Sequence, residues 1–211
     1  MRLGVDEAGK GPVLGSMFAA AVRVDPEDLP DGVADSKALA PERRRELART
    51  IRDVADAVGV AEIPVARIDD PGTDMNALTV AAHAEALAAA AEEGDEVYAD
   101  AGDTNAVRFE RNVADAVPVA LDVRAEHGAD ETYPAVSAAS ILAKVKRDAH
   151  VESLAAEYGE VGSGYPGDEQ TRTFLREFVA EHGELPECAR ESWRTSRDVL
   201  AAAEQSSLGE F

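Results

Sequence analysis

Segments with strand-like and helix-like patterns alternate along most of the sequence, and this alternation constrains the fold more than any other feature. An apolar strand over Leu3 to Asp6 ends at a glycine-rich turn, and Gly15 to Val24 is predicted to return beside it. The next predicted elements are a helix from Pro41, a strand over Val60 to Val65, a helix over Met75 to Glu93, a strand over Glu96 to Asp100, a helix over Asn105 to Ala116 and a strand over Pro118 to Val123. This order predicts an α/β fold in which helices flank a mixed sheet.

The C-terminal third is almost wholly helical. Helices are predicted over Pro134 to Tyr158, Asp168 to His182 and, roughly, Pro186 to Gln205. A chain of 211 residues suits one compact domain with a short appendage. We therefore divide it into an α/β domain over residues 1–150, a helical region over residues 151–204 packed on it, and a tail over residues 205–211.

The charge of the chain is extreme, with 42 acidic and 21 basic residues and a net charge of −21. The acids are spread through helices rich in alanine and leucine, which differs from the pattern of a disordered acidic tail. In molar salt the Debye length is about 3 Å, so the repulsion between such charges is screened. The charge therefore indicates a high-salt habitat and carries little information about the binding partner. The retained lysines are worth inspecting: Lys10, Lys37, Lys144 and Lys146.

Targeting signals and cysteine chemistry are not evident in the sequence. The most apolar segment, Val13 to Val22, is about ten residues long and too short to span a bilayer. The single cysteine, Cys188, has no partner for a disulfide and no neighbours at zinc-ligand spacing. We expect a cytoplasmic monomer that does not associate with a membrane.

Two adjacent acids, Asp6 and Glu7, stand where the first strand meets the turn Gly9-Lys10-Gly11. Because side chains alternate across a strand, the two carboxylates share one site only if the backbone turns there. Taken alone, the pair fits two solvated turn residues as well as a metal site. A phosphate-binding loop is disfavoured, since Gly11 replaces the required serine or threonine and both acids would face the phosphates. The glycines at 162, 164 and 167 match a dinucleotide-binding pattern in letters only, because they follow a helix.

Two further acids occupy comparable positions. Asp100 ends a predicted strand, and Asp130 precedes the helix that Pro134 begins. Four carboxylates in one cleft would repel one another unless cations neutralise them. Two divalent ions would balance the charge, as in two-metal phosphodiester hydrolysis, and oxygen ligands favour Mg²⁺ or Mn²⁺. Taken singly, Asp100 and Asp130 fit surface acids better than metal ligands, and the metal-site interpretation depends on the rest of the pattern.

Several sequence blocks, in order over residues 3 to about 195, together resemble ribonuclease HII of the archaeal type. The blocks are Gly4-x-Asp6-Glu7-Ala8-Gly9-Lys10-Gly11-Pro12, Asp35-Ser36-Lys37-x-Leu39, Tyr98-Ala99-Asp100, Ala129-Asp130, Ser137-Ala138-Ala139-Ser140-Ile141-Leu142-Ala143-Lys144-Val145-x-Arg147-Asp148 and Gly162-Ser163-Gly164-Tyr165-Pro166-x-Asp168. The resemblance implies a ribonuclease-H-like catalytic domain over residues 1–150. The implied activity is metal-dependent cleavage of the RNA strand in RNA/DNA hybrids and incision on the 5′ side of ribonucleotides in duplex DNA.

The resemblance also implies roles for individual residues. The catalytic, metal-binding carboxylates would be Asp6, Glu7, Asp100 and Asp130, with Mg²⁺ or Mn²⁺ as the cofactor. The implied substrate contacts are Gly9, Lys10, Gly11, Lys37, Ser137, Ser140, Lys144 and Tyr165. The turn amides would approach the 2′-hydroxyl at the RNA–DNA junction, and Tyr165 would stack on the neighbouring sugar. The alternative for Tyr165 is a core tyrosine within a turn. The alternative for Lys144 is an ion pair with Asp148 on the same helix.

The sequence departs from the family pattern at two positions. Lys10 stands where arginine is usual, which removes a bidentate phosphate contact. Gly128 stands where a lysine commonly precedes Ala-Asp, so a basic substrate contact is missing there. His127 lies nearby, but a lone histidine beside an acid is more often structural, and we leave it out of the catalytic set.

The last seven residues carry Gln205, Leu208 and Phe211 at the first, fourth and seventh positions. This spacing resembles the short peptide that docks on the replication sliding clamp, and a frayed terminus is the alternative. Two other functions compete with the main hypothesis. One is a nuclease of the same fold that cuts DNA, and the other is a hybrid-binding or clamp-associated module without catalysis; the presence of all four acids disfavours the second.

Overall fold

The protein is described from a computed structural model that covers residues 1–33 and 39–208, with only the backbone described for residues 206–208. The strands are β1 (Arg2–Ala8), β2 (Met17–Val24), β3 (Ala57–Ile63), β4 (Glu96–Asp100) and β5 (Asp122–Glu126). The helices are α1 (Pro41–Val54), α2 (Val65–Ile68), α3 (Met75–Ala88), α4 (Ala106–Ala116), α5 (Ala129–Thr132), α6 (Pro134–Tyr158), α7 (Glu169–His182) and α8 (Arg194–Leu208), with a 3-10 turn at Pro26–Asp28.

The described strands form one mixed sheet in the order β3-β2-β1-β4-β5. The pairs β1–β2 and β2–β3 are antiparallel, whereas β1–β4 and β4–β5 are parallel. The predicted α/β class with a mixed sheet flanked by helices is therefore confirmed. The parallel pairs bring the carboxyl ends of β1, β4 and β5 to one edge of the sheet, where ligands of such sheets commonly bind.

Each face of the sheet is covered by a separate helical layer. Leu3 and Val5 of β1 point into a core built with α3 and α4, which includes Leu87 and Phe109. The opposite face packs against α1 and α6. On that face Gly4 meets α6 so closely that an added Cβ would lie 2.2 Å from the carbonyl carbon of Ala135. The absence of a side chain at Gly4 thus lets the long helix lie directly on the central strand.

A third core joins the C-terminal helices to the loop after β1. Val13 and Leu14 pack with Leu175 and Cys188, and Arg190 N donates to the carbonyl of Val13 at 2.8 Å. Helix α6 continues through residue 150, the predicted boundary between the two regions, and that division stays a prediction. No helix in the described ranges is long and apolar enough to cross a membrane.

Two predicted elements lie elsewhere in the structure. The last strand occupies Asp122–Glu126, later than the predicted Pro118 to Val123, because its parallel register with β4 pairs Glu96 with Asp122. Helix α8 begins at Arg194, although the sequence pattern predicts a start near Pro186. The residues before Arg194 form a loop instead. This loop is fixed by the Asp69 carboxylate, which accepts hydrogen bonds from the backbone amides of residues 191 and 192.

Candidate functional site

Strand β1 extends through Ala8, two residues beyond the predicted end, so Asp6 and Glu7 lie inside it. Adjacent strand residues point to opposite faces. Asp6 therefore shares the α6 face with Gly4, whereas Glu7 shares the α3 face with Val5. The sequence pattern predicted that the two carboxylates share one site only if the backbone turns between them. No such turn is present between Asp6 and Glu7.

Asp6 is buried, with 5% of its surface exposed. One of its carboxylate oxygens accepts the backbone N–H of Glu7 at 2.7 Å, and the hydroxyl of Ser140 on α6 also hydrogen-bonds to it. Burial raises the pKa of Asp6 well above its usual value, and the charges of Glu7 and Asp100 raise it further. The environment at the end of β1 thus disfavours the charged form of Asp6.

Asp100 ends β4, next to Asp6 in the parallel register, because Val5 pairs with Ala99. Its Oδ1 accepts the backbone N–H groups of Gly128 and Ala129 at 2.7 and 3.1 Å. Asp130 follows in the short helix α5 and is buried, with 5% exposed. Gly128, where the sequence departs from the family pattern, adopts φ = 70° and places its amide against the Asp100 carboxylate.

Glu7 hydrogen-bonds to a histidine from the opposite helical layer. Its Oε2 lies 2.7 Å from Nε2 of His83, a fully buried residue of α3. The imidazole packs edge-on against Phe109, with ring centroids 5.1 Å apart. Oε1 lies beside the loop after β4, where a Cβ added to Gly102 would be 3.3 Å away. Glu7 is therefore held between α3 and the segment that follows Asp100.

The chemistry of these acids fits a hard divalent cation. Carboxylate oxygens are the ligands that Mg²⁺ and Mn²⁺ prefer, and the raised pKa of Asp6 reflects its burial together with the charges of Glu7 and Asp100, which a bound cation would offset. As placed, no three His, Cys, Asp or Glu side chains in the described part of the chain are grouped closely enough to hold a metal.

The glycine turn after β1 is held by two residues from the C-terminal segment. Arg190 is fully buried, and its guanidinium donates to the carbonyls of Gly9, Lys10 and Gly15 at 2.6, 2.9 and 2.9 Å. Trp193 Nε1 donates to the carbonyl of Gly11 at 3.2 Å. Burial, with the nearby Arg147 charge, lowers the pKa of Arg190 to about 10.

These bonds fix the direction of the turn peptides. In a trans peptide the C=O and the following N–H point in opposite directions. Since the carbonyls of Gly9 and Lys10 face Arg190, the amides of Lys10 and Gly11 point away from it. Gly9 has φ = 92°, which glycine adopts without strain. The Lys10 side chain leaves the turn and donates to the Gly102 carbonyl.

A groove of about 700 Å³ lies beside Glu7 and the turn. Its lining includes the basic residues Arg44, Arg45, Lys144 and Arg147. Arg44 pairs with Asp148 at 2.8 Å, and Arg45 pairs with Glu152. Tyr165 stands at the groove with 48% of its surface exposed and its ring centroid 6.0 Å from the guanidinium carbon of Arg147. The groove thus combines basic side chains, which suit contacts with phosphates, and an exposed aromatic ring, which suits stacking on a nucleotide.

The remaining predicted contacts lie at varied distances from this groove. Ser137 is fully buried and donates to the Val33 carbonyl at 2.5 Å, while Ser140 is 2% exposed and contacts Asp6. Lys37 and Phe211 lie outside the described residues. Gln205 and Leu208 belong to the last turns of α8, and only the backbone is described at Leu208.

Sequence reasoning missed His83, Arg190 and Trp193. His83 is one histidine in an alanine-rich helix, and nothing local relates it to Glu7, 76 residues earlier. Arg190 and Trp193 are three residues apart, as a packed pair would be, but their contacts lie more than 170 residues away. The single tryptophan of the chain was the one local signal available.

Comparisons with known proteins bear on the family and the fold of the chain. The family model described as Ribonuclease HII matches residues 3–196. A ribonuclease HII of Haloarcula marismortui is 66% identical over 211 residues, covering 100% of both chains. The crystal structure of ribonuclease H2 from Pyrococcus horikoshii has a TM-score of 0.90 at 35% identity, covering 96% of this chain and 98% of that one. The chain in a PCNA:RNase HII complex from Archaeoglobus fulgidus has a TM-score of 0.85 at 37% identity, covering 94% and 96%.

The family match spans nearly the whole chain, and the blocks that carry the resemblance lie within it. The haloarchaeal relative also confirms the expected archaeal, high-salt-adapted type. Members of the family are endonucleases that cleave the RNA of RNA/DNA hybrids. From its fold, its sequence and this match, the chain belongs to the ribonuclease HII family.

Proposed function

We propose that this enzyme, besides cleaving RNA in hybrids, incises on the 5′ side of ribonucleotides embedded in duplex DNA, using Asp6, Glu7, Asp100 and Asp130 to bind Mg²⁺ or Mn²⁺. The observation that carries the proposal is the buried Asp6 carboxylate, whose ionisation is opposed by burial and by the charges of Glu7 and Asp100, while the neighbouring Glu7 borders a groove that includes Lys144 and Arg147. A divalent cation would remove that repulsion, and a phosphodiester would bring charge that the groove cations complement.

In the proposed reaction, a water oxygen attacks phosphorus and the bond from phosphorus to the 3′-oxygen breaks. The leaving oxygen takes a proton to become a 3′-hydroxyl, and the phosphate stays on the 5′ end of the ribonucleotide fragment. The bound cations would activate the water and stabilise the leaving oxygen. The protein's own contribution is positioning: Ser140 orients Asp6, and the amides of Gly128 and Ala129 orient Asp100.

Recognition of the ribonucleotide is assigned to the groove beside the acids. The amides of Lys10 and Gly11, which point away from Arg190, are suited to contact the 2′-hydroxyl. Tyr165 offers an exposed ring for the neighbouring deoxyribose. Lys144 lines the groove and suits a phosphate contact, and Lys37 stays a predicted contact.

The test is digestion of an end-labelled DNA duplex that carries one ribonucleotide, in molar KCl with Mg²⁺ or Mn²⁺. We expect a single cut on the 5′ side of the ribonucleotide, with a 3′-hydroxyl on the upstream fragment, and no cut when EDTA replaces the metal. The Asp6→Asn protein is the matched control and should be inactive. Cleavage of an all-DNA duplex, or cleavage that Asp6→Asn leaves unchanged, would refute the proposal.

We also propose that the tail binds the replication sliding clamp through Gln205, Leu208 and Phe211. The spacing of these residues supports this, as does the structural similarity to a ribonuclease HII determined in complex with PCNA. Calorimetric titration of the clamp from the same organism with Phe211→Ala should show at least about fivefold weaker binding than with the wild type, since a buried aromatic anchor contributes about 1–3 kcal/mol. Glu204→Gln, outside the pattern, is the control, and equal affinities for both variants would contradict the proposal.

A further inference from the structure

We infer that His83 is a positioning residue for the metal site, which orients the Glu7 carboxylate by donating a hydrogen bond from Nε2 to Oε2. The inference rests on the proposed metal-binding role of Glu7. His83 belongs to α3, on the sheet face opposite the one that carries Asp6. Its role is therefore separate from the contacts that hold the other acids.

The donor in this contact is defined by the chemistry of the partners. An ionised carboxylate only accepts hydrogen bonds, so the proton lies on Nε2 of His83. The Nε2–Oε2 distance of 2.7 Å is typical of a charge-assisted bond. His83 Nδ1 is buried and has no hydrogen-bond partner among the described residues. The imidazole thus directs its single polar contact to Glu7.

The packing around His83 gives the carboxylate little freedom to rotate. The imidazole is fully buried and lies edge-on against Phe109, itself fully buried. Glu7 Oε1 lies against the loop at Gly102, two residues after Asp100. With Oε2 bonded to the imidazole, Oε1 is the oxygen that remains at the end of β4, where Asp100 lies. Hydrogen-bonding partners of metal-binding side chains typically change metal affinity about 10- to 100-fold when removed.

The experiment is a calorimetric titration of Mn²⁺ into the substrate-free protein in molar KCl. His83→Phe keeps an aromatic ring against Phe109 but removes the donor, and we expect its Mn²⁺ dissociation constant to rise about 10- to 100-fold. His83→Gln places an amide N–H at a similar reach and should recover most of the affinity. Thr79→Val is the control, because Thr79 is buried on the same helix and, among the described residues, its hydroxyl donates to the Met75 carbonyl alone. Its Mn²⁺ affinity should equal that of the wild type.

The outcomes separate this inference from the proposed function. If the wild type binds no Mn²⁺ and cuts no substrate, the proposed function fails. If the wild type binds Mn²⁺ and His83→Phe binds it equally well or more tightly, the positioning role is overturned. If His83→Phe and His83→Gln lose affinity to the same extent, an N–H donor at this position does not restore Mn²⁺ binding, which also overturns it. Circular dichroism and thermal unfolding of each variant establish that the loss does not reflect misfolding.

Discussion

The acidic end of β1 and the glycine turn after it are adjacent in sequence but differ in how completely their polar groups are satisfied. At Asp6 the charges of Glu7 and Asp100 oppose ionisation. In the turn, the carbonyls of Gly9, Lys10 and Gly11 all accept hydrogen bonds from the C-terminal segment. The fold therefore leaves the acids to be completed by a ligand, whereas it builds the turn in advance.

This difference between the acids and the turn predicts how ligand binding affects each region. A cation that binds the acids replaces repulsion by attraction, so it should stabilise the whole protein. The turn has already lost its conformational freedom during folding, and a substrate that meets it does not have to order it again. Under the proposed function, chemistry and recognition depend on different parts of the molecule, and substitutions should separate them.

The largest effect is expected from Asp6→Asn. The variant should lose more than about 100-fold in cleavage rate, since even a change in a partner of a metal ligand costs about 10- to 100-fold. Without metal it should be more stable than the wild type, by about 1 kcal/mol, because the amide is neutral and the buried negative charge is removed. Urea unfolding in molar KCl with EDTA measures the difference.

The same variant has a defined pH dependence. The folded-state pKa of Asp6 is raised above the usual value of 3.8, so the wild type gains stability from protonation at low pH and loses it as the pH rises through the folded-state pKa. The stability advantage of Asp6→Asn over the wild type should therefore grow as the pH is raised from about 4. An advantage that shrinks with rising pH would contradict the assignment of Asp6 as a repelled, buried acid.

A smaller loss of rate is expected from Arg190→Lys, which keeps the charge but not the geometry that reaches three carbonyls. Displacement of the turn by about 1 Å can cost about 100-fold in rate, and we expect about 10- to 100-fold at a single ribonucleotide. Stability should fall by about 2–3 kcal/mol, because buried carbonyls lose charged donors. Rates on single-ribonucleotide and all-RNA hybrid substrates, measured side by side, check this. An unchanged ratio between them would mean that the turn does not read the junction.

The smallest effect is expected from Trp193→Phe, which retains an aromatic ring over Arg190 and removes one bond to Gly11. The free energy of unfolding should fall by about 1 kcal/mol, and junction cleavage should fall by less than in Arg190→Lys. Thermal unfolding and single-turnover cleavage provide the two readouts. If Trp193→Phe impairs cleavage more than Arg190→Lys does, Arg190 is not the main support of the turn.

Sequence patterns predicted the sheet and most helices because these depend on local periodicity and caps. Strand β4 and helix α6 have the predicted bounds, the latter set by Pro134 at its start and Gly159 at its end. The extension of β1 past Asp6 was not predicted, because pairing with β2 continues to Ala8 and outweighs the turn signal of the glycines. The four acids were found through the family pattern. His83, which contacts Glu7, and Arg190, which holds the glycine turn, were not predicted, because those contacts depend on tertiary packing alone.

The most direct test of the separation between the two regions is a comparison of Mn²⁺ affinity in three proteins without substrate: the wild type, Asp6→Asn and Arg190→Lys. Calorimetry in molar KCl should show Mn²⁺ binding that Asp6→Asn abolishes and Arg190→Lys leaves within about twofold of the wild type, because Asp6, unlike Arg190, is proposed to supply an oxygen ligand. Equal loss of Mn²⁺ binding in both variants, or no loss in Asp6→Asn, would contradict the assignment of chemistry to the acids and of recognition to the turn.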